Sequence, residues 1–127
     1  MKKIFLFCSL LACVAAFSQG PIHFTVTKHS FGKIKQNVPV SYLFSFKNVS
    51  SKPLVIENVE ADCGCTKPEF PKEPIAPGKE GAIKVTYNAA ALFSFTKNVR
   101  VKLATEQLPI TLTIEGEVLA PPPGHTK

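Results

Sequence analysis

The feature that most constrains this chain is an apolar repeat of two residues that never runs for long. Ile22, Phe24 and Val26 alternate with polar residues, and so do Val40, Tyr42, Phe44 and Phe46. A period of two puts every second side chain on one face of an extended chain, so each run predicts a strand with one buried face. Further runs follow at residues 54–59, at Ile83, Val85 and Tyr87, at Val99, Val101 and Leu103, and at Ile110, Leu112, Ile114 and Val118, with a weaker one at residues 31–35. Turn signals separate them: Asn48-Val49-Ser50-Ser51-Lys52-Pro53, Pro74-Ile75-Ala76-Pro77-Gly78-Lys79 and Thr105-Glu106-Gln107. Eleven prolines and seven glycines in 127 residues interrupt any long helix. About seven short alternating strands with no helical stripe predict an all-β fold, an immunoglobulin-like antiparallel β-sandwich. The chain has no Trp, so it lacks the Cys and Trp core of antibody domains.

The ends read differently. Met1-Lys2-Lys3 opens on charge, residues 4–16 are mostly apolar, and small residues precede Gln19 at Ala16 and Ser18. That order predicts a secretory signal peptide over residues 1–18, cleaved after Ser18. Leu10-Leu11-Ala12-Cys13 also resembles a bacterial lipobox, which makes lipidation of Cys13 the alternative. A membrane anchor needs about 20 consecutive apolar residues, and this run ends sooner, at Ser18-Gln19-Gly20-Pro21, so no transmembrane segment is expected in the mature chain. The sandwich is expected over residues 22–119, and the proline-rich residues 120–127 are expected to form a disordered tail. The net charge of +6 falls to +4 without Lys2 and Lys3. The lysines are scattered and Arg100 is the only arginine, which disfavours nucleic acid as a partner.

Asp62-Cys63-Gly64-Cys65 is the one constellation with chemical potential. Cys8 and Cys13 fall in the signal region, so cleavage after Ser18 leaves Cys63 and Cys65 as the only thiols of an exported chain. Residues two apart on a straight strand lie roughly 6.6 Å apart along the chain, too far for a disulfide. Gly64 offers backbone angles that could fold the three residues into a turn and close the bond. Such a small loop is worth only about 1.6 kcal/mol on the chain-entropy rule, so its value would be redox rather than stapling. Two thiolates can also hold a soft ion such as Cu(I), with His23 and His29 as the other ligands of a metal reading. Ordinary turn cysteines complete the alternatives. Asp62 beside Cys63 is expected to disfavour its thiolate.

Catalytic machinery is not legible. The sequence contains no Gly-x-Ser-x-Gly elbow, Gly-rich phosphate loop, His-Glu-x-x-His pair or Cys-x-x-Cys site. Glu57 with Glu60 and Glu115 with Glu117 read as polar strand edges. Asn48-Val49-Ser50 matches a glycosylation sequon. No catalytic residue and no cofactor are expected.

Several segments together resemble a known family. They are Phe31-Gly32-Lys33-Ile34, Tyr42-Leu43-Phe44-Ser45-Phe46-Lys47-Asn48, Pro53-Leu54-Val55-Ile56, Ala61-Asp62-Cys63-Gly64-Cys65-Thr66-Lys67-Pro68, Pro71-Lys72-Glu73-Pro74-Ile75-Ala76-Pro77-Gly78 and Ile114-Glu115-Gly116-Glu117-Val118. This pattern is similar to the DUF1573 family of exported bacterial proteins, common in Bacteroidetes and related to the immunoglobulin-like ASPM, SPD-2 and Hydin domains. The resemblance implies an envelope immunoglobulin-like domain and brings no activity with it. The chain departs from the pattern at Phe70, where the family usually has Trp, and at Ala89-Ala90-Ala91-Leu92-Phe93-Ser94-Phe95, where a Gly-rich turn is usual. The apolar substitute makes Leu92, Phe93 and Phe95 a candidate interface. The expectation is an exported, non-enzymatic binding or structural module of the bacterial envelope, periplasmic or secreted, with protein partners. A thiol-redox or Cu(I)-handling protein built on Cys63 and Cys65 is the alternative.

Overall fold

The structure, a computed structural model, describes residues 20–122. The proposed signal peptide with Cys13 and Ser18, and residues 123–127 of the tail, lie outside the described residues. Eight strands make up the fold: β1 (Ile22–Phe24), β2 (Lys28–Lys35), β3 (Val40–Asn48), β4 (Ile56–Ala61), β5 (Thr66–Glu69), β6 (Glu80–Tyr87), β7 (Phe93–Leu103) and β8 (Ile110–Leu119). One sheet has the order β1-β3-β6-β5 and the other β2-β8-β7-β4. The alternating apolar residues face each other between them. Phe44, Phe46, Ile83, Val85 and Tyr87 from the first sheet and Val99, Val101, Leu103, Leu112, Ile114 and Val118 from the second are all buried. This is the immunoglobulin-like sandwich that the alternation predicts.

Three details differ from the sequence reading. The apolar alternation does not predict β5, whose four residues include Pro68. It survives as an edge strand paired only with β6, where a missing N–H costs no ladder bond. The run through Val26 is cut short because the chain leaves one sheet for the other at residues 25–27. Thr25 N donates to Ser45 O at 3.0 Å, and Thr113 N donates to Thr27 O at 2.8 Å. Val26 is therefore exposed. The switch also makes β2 run parallel to β8 in an otherwise antiparallel sandwich, with a register shift between Ser30 and Lys33 that contains Gly32 at φ 68°.

Each end of the sandwich has its own chemistry. At one end the buried Asn48 ties three segments together. Its Nδ2 donates to Lys52 O and Ile75 O, both at 2.8 Å, and its Oδ1 accepts from Ser50 N at 3.0 Å and Ser50 Oγ at 2.7 Å. The Ala76-Pro77-Gly78-Lys79 turn docks beside it, with Gly78 at φ 76° and Lys79 N bonded to Ala76 O. Asn48 is fully buried, so the sequon is inaccessible in the folded chain. The opposite end collects the β2–β3 turn, the β4–β5 crossing, the β6–β7 loop and the exit of β8. There Asn37 N donates to Ala89 O, Gln36 N to Leu119 O and Asn88 N to Cys65 O.

Candidate functional site

β4 is an edge of one sheet and β5 an edge of the other, so the four residues between them must cross the sandwich. The crossing is a turn in which Asp62 N donates to Asn98 O at 3.2 Å and Thr66 N donates back to Cys63 O at 3.3 Å. Turning brings the Cα atoms of Cys63 and Cys65 to 5.3 Å, and the two sulfurs are joined as a disulfide. The left-handed backbone expected of Gly64 is not used. Among the described glycines only Gly32 and Gly78 have positive φ, and a Cβ on Gly64 would meet nothing within 4 Å. The shortening comes from the hydrogen-bonded turn as a whole.

Both cysteines are half-buried, and Cys65 packs against the core. Below them lies Thr66, buried, with Oγ1 at 3.8 Å from Cys63 Sγ and 3.7 Å from Cys65 Sγ. Asp62 does not act on Cys63 as an isolated carboxylate. It is paired with Arg100, whose guanidinium also lies 3.9 Å from Glu60. The positive charge offsets the repulsion expected from Asp62. Glu57 and Glu115 are likewise in surface ion pairs, with Lys102 and Lys28.

The histidines of the metal reading are not brought to the cysteines. His23 lies on β1 and His29 on β2, in different sheets. The His29 ring stacks on Tyr42 at 3.7 Å and meets the edge of Phe31 at 4.7 Å. Among the described residues no group of three or more His, Cys, Asp or Glu side chains is placed to hold a metal ion.

Leu92, Phe93 and Phe95 are separated by the fold. Phe95 points inward and stacks on Tyr87 at 4.1 Å between ring centres. Its cross-strand partner is Gly116, where a Cβ would lie 2.9 Å from Phe95 Cε1 and 2.8 Å from Gly32 O. Phe95 therefore belongs to the core and leaves the candidate interface. Leu92 is half-buried against the core. Phe93 alone is presented to solvent, 73% exposed at φ 78°. Strand alternation would turn it inward with Phe95, and the left-handed backbone turns it out.

Asn37 at φ 61° and Ala89 at φ 56° are the other non-glycine residues with positive φ among the described residues, and both lie at this same end. Asn tolerates that region, whereas Ala and Phe are held there at a cost of about 1–3 kcal/mol each. Phe93 faces Val118 across the ladder, one residue from the exposed Leu119. Leu119 in turn lines a groove of about 410 Å³ with Lys35, Gln36, Val38, Pro121 and Pro122. Sequence reasoning missed Thr66, Asn37, Val38 and Leu119, because nothing local shows which turns share an end. At the opposite end a cavity of about 350 Å³ is bordered by Pro21, His23, Leu103 and Leu108. No helix among the described residues is long and apolar enough to cross a membrane.

Solved structures share the fold at low identity. A protein of unknown function from Porphyromonas gingivalis W83 superposes with a TM-score of 0.65 at 13% identity, covering 76% of this chain and 46% of that one. The seventh PapD-like domain of human CEP192 gives 0.65 at 5% identity, covering 80% and 87%. The VesB protease of Vibrio cholerae gives 0.64 at 13% identity, covering 77% and 32%. The chain thus spans less than half of the Porphyromonas protein and about a third of the protease, and these likenesses speak for the fold alone. No curated protein matches the chain. The sequence model of DUF1573, described as a protein of unknown function, matches residues 22–118, and the chain belongs to that family.

Proposed function

We propose that this chain is an exported, non-enzymatic immunoglobulin-like module of the bacterial cell envelope that engages a protein partner through the disulfide end of its sandwich. One observation carries the reading. Phe93 is held out of the core at 73% exposure by a left-handed backbone, a conformation that costs a non-glycine residue energy. At the same end the exposed Val38 and Leu119 add apolar surface, the composition that marks protein contact surfaces. The basic N-terminal charge and apolar run of residues 1–18 support export.

Leu108 provides the control, since it is 82% exposed but sits at the opposite end. Phe93→Ser is expected to abolish chemical cross-linking of the chain to its envelope partner, while Leu108→Ser leaves it intact. Equal loss from both variants, or from neither, contradicts the reading. A second reading, thiol exchange at Cys63 and Cys65, is favoured by the disulfide's half-exposed place in a turn. A Cys63→Ser, Cys65→Ser double variant that keeps both stability and partner cross-linking favours the module.

A further inference from the structure

We propose that the Cys63–Cys65 disulfide exchanges electrons with thiols and that Thr66 and Lys97 are the positioning residues that favour its reduced form, with Cys63 as the stabilised thiolate. The proposal rests on the thiol-exchange reading and deepens it.

The first support is the hydroxyl of Thr66. It is buried, and among the described residues its hydrogen-bonding partners are the two sulfurs, at 3.8 and 3.7 Å. A disulfide sulfur is a weak acceptor, so in the oxidised protein this donor is poorly satisfied. A thiolate accepts a charge-assisted bond, which is roughly twice as strong as a neutral one. Reduction therefore improves the position of a buried donor, the reverse of what a purely structural disulfide needs.

The second support is the register of β7. Phe95, Val99, Val101 and Leu103 face the core, so alternation puts the half-buried Lys97 on the same side of the strand. Ala61 pairs with Val99, and the bond from Asp62 N to Asn98 O continues that pairing past the end of β4. Carried one residue further, the same register would set Cys63 opposite Lys97. A neighbouring ammonium lowers a thiol's pKa, and Arg100 removes the opposing influence of Asp62 by pairing with it. Thr66 serves both sulfurs, and Lys97 breaks the symmetry between them.

The co-reactant is a dithiol, on a protein or a small molecule. One of its thiolates attacks Cys65 Sγ. The Cys63–Cys65 bond breaks, and its electron pair leaves on Cys63 Sγ, since the thiol of lower pKa is the better leaving group. The co-reactant's second thiolate then attacks its own sulfur in the mixed disulfide and expels Cys65. Two electrons have passed to the cysteine pair, the co-reactant has become a disulfide, and its two thiol protons end on Cys63 and Cys65 or in solvent.

The test equilibrates the full chain with mixtures of reduced and oxidised dithiothreitol, quenches in acid, and reads the alkylated peptide carrying Cys63 and Cys65 by mass. Thr66→Val is expected to lower the equilibrium constant for reduction by about tenfold, the size of one hydrogen bond to a charged group and equivalent to about 30 mV. Thr66→Ser is expected to restore it. With limiting iodoacetamide, Cys63 of the reduced chain is expected to react before Cys65 and at lower pH, and Lys97→Met is expected to remove the preference. Thermal unfolding of the Thr66 variants separates misfolding from a redox effect, and the Lys97→Met comparison stands if Thr66→Val does not fold. A bond that resists reduction in the folded chain overturns the thiol-exchange reading itself. A bond that is reduced equally in wild type and folded Thr66→Val, or a Cys63 without preference, overturns only the roles of Thr66 and Lys97.

Discussion

At the scale of single residues, glycines that look alike in sequence do different work. A Cβ on Gly116 would press on Gly32 O and the Phe95 ring, whereas one on Gly64 meets open space in a turn without left-handed backbone. Gly116→Ala is therefore expected to cost about 1–3 kcal/mol by overpacking, and Gly64→Ala to change stability by less than about 1 kcal/mol in the stabilising direction. Urea unfolding of the two variants checks both values. Asn48 is the polar counterpart, with both ends of its amide satisfied inside the fold. Asn48→Asp keeps the acceptor but turns a carboxylate oxygen toward the carbonyls of Lys52 and Ile75. A loss of about 3 kcal/mol or more in the same assay is expected, since a buried charge is left without a partner.

At the scale of elements, β7 carries the contrast between packing and presentation. Phe95→Ala removes a ring stacked on Tyr87 and is expected to cost about 3–5 kcal/mol. Phe93→Gly relieves a left-handed Phe and loses little burial, so it is expected to leave stability unchanged or raise it by up to about 1 kcal/mol. Calorimetry of the pair separates the two roles, which share one apolar segment of sequence. The strands that alternation identified are those with one face in the core, because burial on one side writes a period of two. β5 escaped because an edge strand can hold Pro68. Val26 misled because nothing in its neighbours marks the change of sheet. In the candidate site the cysteines were legible as a pair, while Thr66 became visible only when the crossing turn set its hydroxyl beneath both sulfurs.

At the scale of the whole molecule, the core of two facing sheets supplies the stability and the disulfide adds little. Its loop is so short that the Cys63→Ser, Cys65→Ser variant is expected to lose no more than about 1.6 kcal/mol and to melt within about 10 °C of wild type. A larger fall in a thermal scan would make the bond a structural staple. The core leaves the disulfide end free to hold its strained and apolar groups together, and this end is where the proposed partner contact lies. It is tested most directly by a photo-reactive benzoylphenylalanine placed at position 93, and in a second strain at position 108, of the protein exported by its own cell. A discrete cross-linked adduct is expected from position 93 and none of that mass from position 108. The same adduct from both positions, or no adduct from position 93, would contradict it.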